Sequence, residues 1–510
     1  SRTGPSIVVR FLTPFATALR LHYLLPLAMA VLRAAIVLAA SVSVASGLRM
    51  PEVSPHTAGA AAADPWPTMR GPHVSQFGTT SVVIPKNLTA AFRFSWHHPG
   101  GRYNTVVAGG PVIDAGGNFY LSTNDGIRKL SPQGKVVWHA KQEDNRMNNE
   151  PALWDGKVFG SNQNGEAFAL DQKDGSTVWK QKLAVTNGGD CGYPAAYDGV
   201  FVVGSKEGKN PISMGGNYEI YGLNAATGDK LWYFKPSMPV WNFSPLFTRN
   251  GTVTFMDFQG GMYCLGLHDG KLRWHTPVPG ADQSFSDGGA TLGPLDDVYS
   301  CSNPGAARGS DGTKGLLRRL RTSDGQVLWE QTLPQPCNSY PAVGRLGAGT
   351  ELSVVVTPGS FMGGRNLHGS IMAFDVLTGA PHWRFNTWPY SGPLGMAKGD
   401  VEGYATRQKN DPSHGICLPA HWSSANIDGE GFVYAGRSDG YIYGVRATAD
   451  TPLSADSGVA LANLGADFPS SPGLELRLWN ADGASLHGAF AFAPGTVAFS
   501  SCDTLYVFNA

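Results

Sequence analysis

The stretch PALWDGKVFGSNQNGEAFALDQKDGSTVW, residues 151–179, decides how this chain folds. Three turn signals, Asp155-Gly156, Asn164-Gly165 and Asp174-Gly175, cut it into four apolar runs of strand length. Asn-Gly and Asp-Gly suit tight hairpins because both residues tolerate positive φ. The segment therefore reads as a four-stranded antiparallel meander. The unit returns in AAYDGVFVVGS…YEIYGLNAATGDKLW, in PLFTRNGTVTFMDFQGGMYCLGLHDGKLRW and in VVVTPGS…GSIMAFDVLTGAPHW.

A glycine stands four residues before a tryptophan at Gly134/Trp138, Gly175/Trp179, Gly228/Trp232, Gly270/Trp274, Gly325/Trp329 and Gly379/Trp383. Six of the 13 tryptophans share this offset, which chance does not explain. The glycine supplies a positive-φ corner, and the indole offers a flat surface to the next unit. A lone unit cannot bury both faces, so copies must stack around a closed ring. Trp138, Trp179, Trp232, Trp274, Trp329 and Trp383 are thus expected to dock blades together. Tryptophan spacings of 41 and 42 residues match a bare blade. Those of 53 to 55 leave room for insertions between second and third strands.

Six blades carry the full signature. AHWSSANIDGEGFVYAGRSDGYIYGV followed by LELRLW makes a seventh, and GAFAFAPGTVAFSSCDTLYVFNA supplies three strands of an eighth. AAFRFSW, residues 90–96, is the donor that would complete it and leave no open edge. The expected fold is an all-β, eight-bladed propeller of four-stranded antiparallel blades, with seven blades as the alternative.

With 65 glycines, 35 prolines and 42% hydrophobic residues, the composition fits short strands joined by tight turns. Thirty-nine basic residues balance 39 acidic ones, and no basic run stands out, so nucleic acid is not an expected partner. Residues 1–46 read as a targeting region. From Met29 the sequence MAVLRAAIVLAASVSVASG has the basic start, short apolar core and small residues of a signal peptide. An uncleaved membrane anchor and a longer organelle presequence are the alternatives. Residues 47–65 form a low-complexity linker, and residues 66–510 a single propeller domain.

Six cysteines suit a secretory, extracytoplasmic setting. In a propeller, Cys301 ends the second strand of blade five and Cys337 precedes the first strand of blade six, at one face. A Cys301–Cys337 disulfide is expected, and a Cys417–Cys502 bond is a second candidate.

The repeat resembles the pyrroloquinoline-quinone-like repeat, whose pattern Ala-x-Asp-x-x-Thr-Gly-x-x-x-Trp is met in full by AFDVLTGAPHW, residues 373–383. The stretch DPWPTMRGPHVSQFGTT, from residue 64, looks like the opening of bacterial relatives of BamB, the outer-membrane assembly scaffold. The resemblance implies the fold firmly and the activity loosely, because the superfamily holds quinone-dependent dehydrogenases and cofactor-free scaffolds alike. The dehydrogenases carry adjacent cysteines and a catalytic aspartate. This chain has no Cys-Cys, and WEQTLPQPCNSYPA, residues 329–342, has no carboxylate after Glu330. SCSNPGAARGSDG resembles the stretch that supplies a calcium-ligating asparagine, here Asn303, although Asn-Pro is also an ordinary turn initiator.

Residues preceding the inner strands should converge at one mouth of the channel. They include Asn149, Glu150, Tyr193, Trp241, Asn242, Asp287, Asn338, Tyr340, His421, Trp422 and His487. Such a ring could hold a small polar ligand by stacking and hydrogen bonding, or its members could satisfy one another. No metal spacing accompanies His421 or His487. The expected function is an exported, non-catalytic binding or assembly platform with no cofactor. Its partner would be a protein or a small polar ligand, and the membrane would be met only through an uncleaved leader. The alternatives are a divergent dehydrogenase with pyrroloquinoline quinone and calcium, and a carbohydrate-binding surface protein using exposed Tyr193 and Trp422.

Overall fold

The computed structural model describes residues 64–510 except 102–104, 106, 143–146, 148, 189–191, 209–214, 281–284, 305–313, 348–350, 360–368, 390, 392–404, 406–408, 410–420, 448–473 and 481–487. All of these belong to the unit Ala58–Ala510; the other unit, Ser1–Thr57, lies outside the described residues, and so does the leader read from it.

Eight four-stranded antiparallel sheets form the blades of a propeller. Blades 1 to 7 run in chain order over residues 107–141, 152–182, 195–234, 246–276, 290–333, 342–386 and 426–480. Blade 8 joins Ala491–Ala493, Thr496–Ser500 and Thr504–Asn509 to the early strand Phe92–His97, which pairs outermost with Thr504–Asn509. The two ends of the propeller thereby share one sheet. Inner and middle strands are buried, whereas outer strands such as Thr177–Lys182 bury mainly their tryptophan.

The seams explain the glycine–tryptophan offset. Gly175, Gly228, Gly270, Gly325 and Gly379 all have φ between +62° and +80°. A Cβ on each would lie 2.5–2.8 Å from the indole of the preceding blade: Trp138, Trp179, Trp232, Trp274 and Trp329 in turn. The glycine thus serves twice, as a left-handed corner and as the bare floor on which an indole rests. Each indole Nε1 also donates to the carbonyl three residues before that glycine. Those acceptors are Gln172, Ala225, Leu267, Thr322 and Val376, at 2.8–3.3 Å. At blade 1, Gly134 faces Phe94 of the closing strand instead. Trp383 packs among the apolar side chains of blades 6 and 7. Trp479 closes the next seam against Phe499, Tyr506 and Phe508.

In blades 1 to 6 the register slips by one residue between the third and fourth strands, just before the tryptophan. Such a bulge leaves one residue without a cross-strand partner and re-aims its side chain.

Cys301 and Cys337 are joined by a disulfide with Cα atoms 5.5 Å apart, stapling blade 5 to the entry of blade 6. Cys502 is also disulfide-bonded, while Cys264 is free and buried. Cys417 lies outside the described residues, and so does any bond it makes.

Candidate functional site

Residues 66–84 pass along the inner strands and touch every blade in turn. Trp66 bridges to Ile113 of blade 1, and Pro67 O accepts from Leu153 N of blade 2. His73 stacks on Tyr197 of blade 3. Gln76 accepts from Phe247 N of blade 4 through its side chain and from Leu292 N of blade 5 through its backbone. Phe77 O accepts from Val343 N, Thr79 bridges to Ile427, and Ile84 packs in one cluster with Phe490 and Phe492 of blade 8. Inner strands have a free hydrogen-bonding edge at the axis, and this segment supplies the partners that buried backbone groups require.

Arg70 is the centre of this plug. It is fully buried, donates from Nε to Thr291 Oγ1 (3.3 Å), and donates from Nη2 to Pro341 O and to Ala425 O (2.9 Å). Burial pulls its pKa down to about 9, opposed by the nearby Tyr340, Glu150 and Tyr193. Glu150 is equally buried, and desolvation pushes its pKa well above the usual carboxylate range; Gly110 N, 2.6 Å from Oε2, and Arg70 work in the other direction. Met69, Tyr193, Tyr340 and Ala489 form the apolar filling, with the two tyrosine rings edge to face at 5.6 Å. The space left beside Glu150, Thr68, Gln76 and Ser244 suits a water, not an organic ligand.

The other residues read from the sequence divide into three groups. Around the axis, Tyr340 donates to Asn242 O (2.5 Å), Asn242 Nδ2 to Asp287 Oδ1 (2.6 Å), and Asp287 N to Asn338 Oδ1 (3.2 Å). Asn149 holds Gly192 N and Ser161, while Trp241 lies half-buried with its ring edge-on to Phe285. His421 and Trp422 sit apart, in the seam between blades 6 and 7. Arg437 Nε donates to His421 Nε2 (3.0 Å), which occupies that ring nitrogen. Trp422 Nε1 donates to Pro358 O, and its ring meets Tyr443 edge-on. His487 lies outside the described residues.

The exposed aromatics expected of a sugar-binding surface are not there: Tyr193 is 8% and Trp422 3% exposed. The plug crowds the first, and neighbouring blades enclose the second. Asn303 is spent as well. Its Oδ1 accepts from Cys337 N (2.6 Å), and its Nδ2 donates to Phe285 O (3.0 Å) and Asn338 Oδ1 (2.5 Å). Calcium needs several free oxygens and a quinone needs a flat slot. The described residues at this mouth fit neither group.

Sequence reasoning missed Arg70, Arg437 and the buried Asp257. The last is pushed up to about 7 by burial, against hydrogen bonds from Gly261 and Gln259 amides and the charge of Arg318. Arg70 alone had a signal, inside the WPTMRGP stretch.

The family model described as outer membrane protein assembly factor BamB matches residues 123–291. Over those residues the chain is similar to that family, within an eight-bladed propeller. Among curated relatives, it is 25% identical to tetrathionate hydrolase of Acidithiobacillus ferrooxidans, over 49% of this chain and 50% of that protein. It is also 25% identical to outer membrane protein assembly factor BamB of Moranella endobia, over 46% of this chain and 56% of that one. The chain thus spans about half the length of these relatives. BamB from Moraxella catarrhalis superposes with a TM-score of 0.53 at 14% identity, covering 82% of this chain and 99% of that one. Quinohemoprotein alcohol dehydrogenase from Comamonas testosteroni does so at 0.54 and 14%, covering 88% and 81%. Such likeness carries the fold, which this repeat propeller shares with scaffolds and enzymes alike. Among the described residues no helix is long and apolar enough to cross a membrane.

Proposed function

We propose that this chain is an exported, non-catalytic propeller that acts as a binding and assembly platform for a protein partner. The observation that carries this reading is the filled axis. The place where a propeller would receive a small ligand is occupied by the chain's own residues 66–84, and the polar groups around it bond chiefly to one another. Binding is then left to the outer surface. The outer edges of blades 1 to 3 carry a run of exposed apolar side chains, with Val137 at 52%, Tyr233 at 67% and, just beyond blade 2, Val185 at 84%. Exposed apolar groups on successive blades favour a protein partner. The Cys301–Cys337 disulfide fits an oxidising compartment, in keeping with export.

The test has two arms. Titrating pyrroloquinoline quinone with calcium into the whole protein is expected to give no saturable absorbance change, and alcohols or sugars no dye reduction. Affinity capture from native cells, with Tyr233→Ser and Val137→Ser as controls, is expected to recover a protein that the variants lose. Saturable quinone binding, or turnover of an alcohol or of tetrathionate, overturns the reading.

A further inference from the structure

Blade 6 departs from its siblings at one repeat position. The bulged residue before the seam tryptophan is Val137, Val178, Leu231 and Leu328 in blades 1, 2, 3 and 5 and Arg273 in blade 4; in blade 6 it is His382. The fold asks nothing of this position beyond tolerance of the bulge, since unlike side chains serve it elsewhere. His382 is nevertheless well ordered by its surroundings. Its Nδ1 lies 2.9 Å from Ser353 Oγ on the second strand, which turns Nε2 toward Asp375 Oδ2 at 3.9 Å. That separation is too long for a hydrogen bond.

Asp375 is anchored in the same fashion. Oδ1 accepts from Leu377 N (3.0 Å), Thr378 N (2.7 Å) and Thr378 Oγ1 (2.7 Å), so the turn consumes one oxygen and leaves Oδ2 over. Asp171 makes a comparable turn in blade 2, where the bulged residue is valine and no imidazole stands beside it. In blade 6 a third donor joins: ligand atoms of Glu351, Asp375 and His382 all lie within 4.8 Å of one another. Among the described residues, no Lys or Arg pairs with Glu351 or Asp375.

We propose that Glu351, Asp375 and His382 form a binding site for a divalent first-row metal ion, zinc being the best match. One imidazole nitrogen with two carboxylate oxygens is a zinc-type donor set, whereas calcium takes oxygens alone. Bonds of about 2.0–2.1 Å around a tetrahedral ion put donors about 3.4 Å apart. The His382–Asp375 distance therefore has to close by only about half an ångström. The Ser353 hydroxyl supplies the outer contact that fixes the ring tautomer, with Nδ1–H donating to Oγ and Nε2 free to bind. Exposed Glu351 leaves the remaining coordination positions open to water. The site lies apart from the axis and does not depend on the platform reading.

Isothermal titration of the whole protein with zinc chloride, checked by cobalt(II) visible absorption, tests the assignment. One saturable equivalent is expected. His382→Ala should abolish it, and Glu351→Gln and Ser353→Ala should each weaken it by about tenfold or more. Glu351 is exposed, so Glu351→Gln should melt as the parent does without metal. An absent saturable equivalent, or one that His382→Ala and Glu351→Gln leave unchanged, overturns the proposal.

Discussion

The seams and the axis of this propeller are held together by opposite means. Five of the eight seams are made by one device used over and over: a left-handed glycine, an indole resting on it, and a hydrogen bond to a carbonyl three residues earlier. The axis is made once, by a segment that has a different contact with every blade. Repetition makes the seams redundant in kind, while the axis depends on particular residues such as Arg70. Loss of one seam should therefore be graded and local, and loss of the axial segment should be felt around the ring.

The strongest blow to a seam is Trp179→Ala. It removes a buried indole that covers Gly228 and bonds to Ala225 O, and should cost about 3–5 kcal/mol by chemical unfolding. A loss under about 1 kcal/mol would mean that the seams are not where stability resides. Next comes the pH response of Asp257. Burial pushes its pKa up to about 7, above the usual range of an aspartate, so the fold prefers the protonated acid. The contribution of Asp257 to stability should be fully present below about pH 4, fall by a few kcal/mol as pH rises to 7, and level off above it. Asp257→Asn should flatten that slope, and an unchanged slope would assign it to another group.

Gly228→Ala is smaller in scale. A Cβ there would lie 2.7 Å from Trp179 on a backbone at φ +80°, for a cost of about 2 kcal/mol. Paired with Trp179→Ala in a double-mutant cycle it should be markedly less than additive, because the clash disappears with the indole. The mildest is Glu150→Gln at the axis. Burial pushes this acid toward its protonated form, which a neutral isostere mimics, so stability near pH 5 should move by less than about 1 kcal/mol. A large loss would show that Glu150 is ionised against Arg70, and would make the axis electrostatic rather than steric.

The seams were legible in the sequence because six copies of one spacing cannot be missed, and the last two blades and the shared closing sheet were read from the weaker strand patterns of residues 420–510 and 90–96. The axis was not legible. Arg70 meets Thr291, Pro341 and Ala425 across 221, 271 and 355 residues, and nothing periodic links them. Tyr193 and Trp422 were read as exposed because they precede inner strands, where an empty channel would leave them open. The plug and the neighbouring blades fill that space. His382 escaped notice for a related reason: its importance lies in differing from Val178 and Leu231, and a repeat search rewards sameness.

The strand Phe92–His97 follows directly on the axial segment and finds its partner only in Thr504–Asn509. On the ribosome, the first portion of the wheel to emerge must therefore wait, unlatched, until the last has been made. A nascent chain cut short before Thr504 would hold seven finished spokes and an orphaned hub thread.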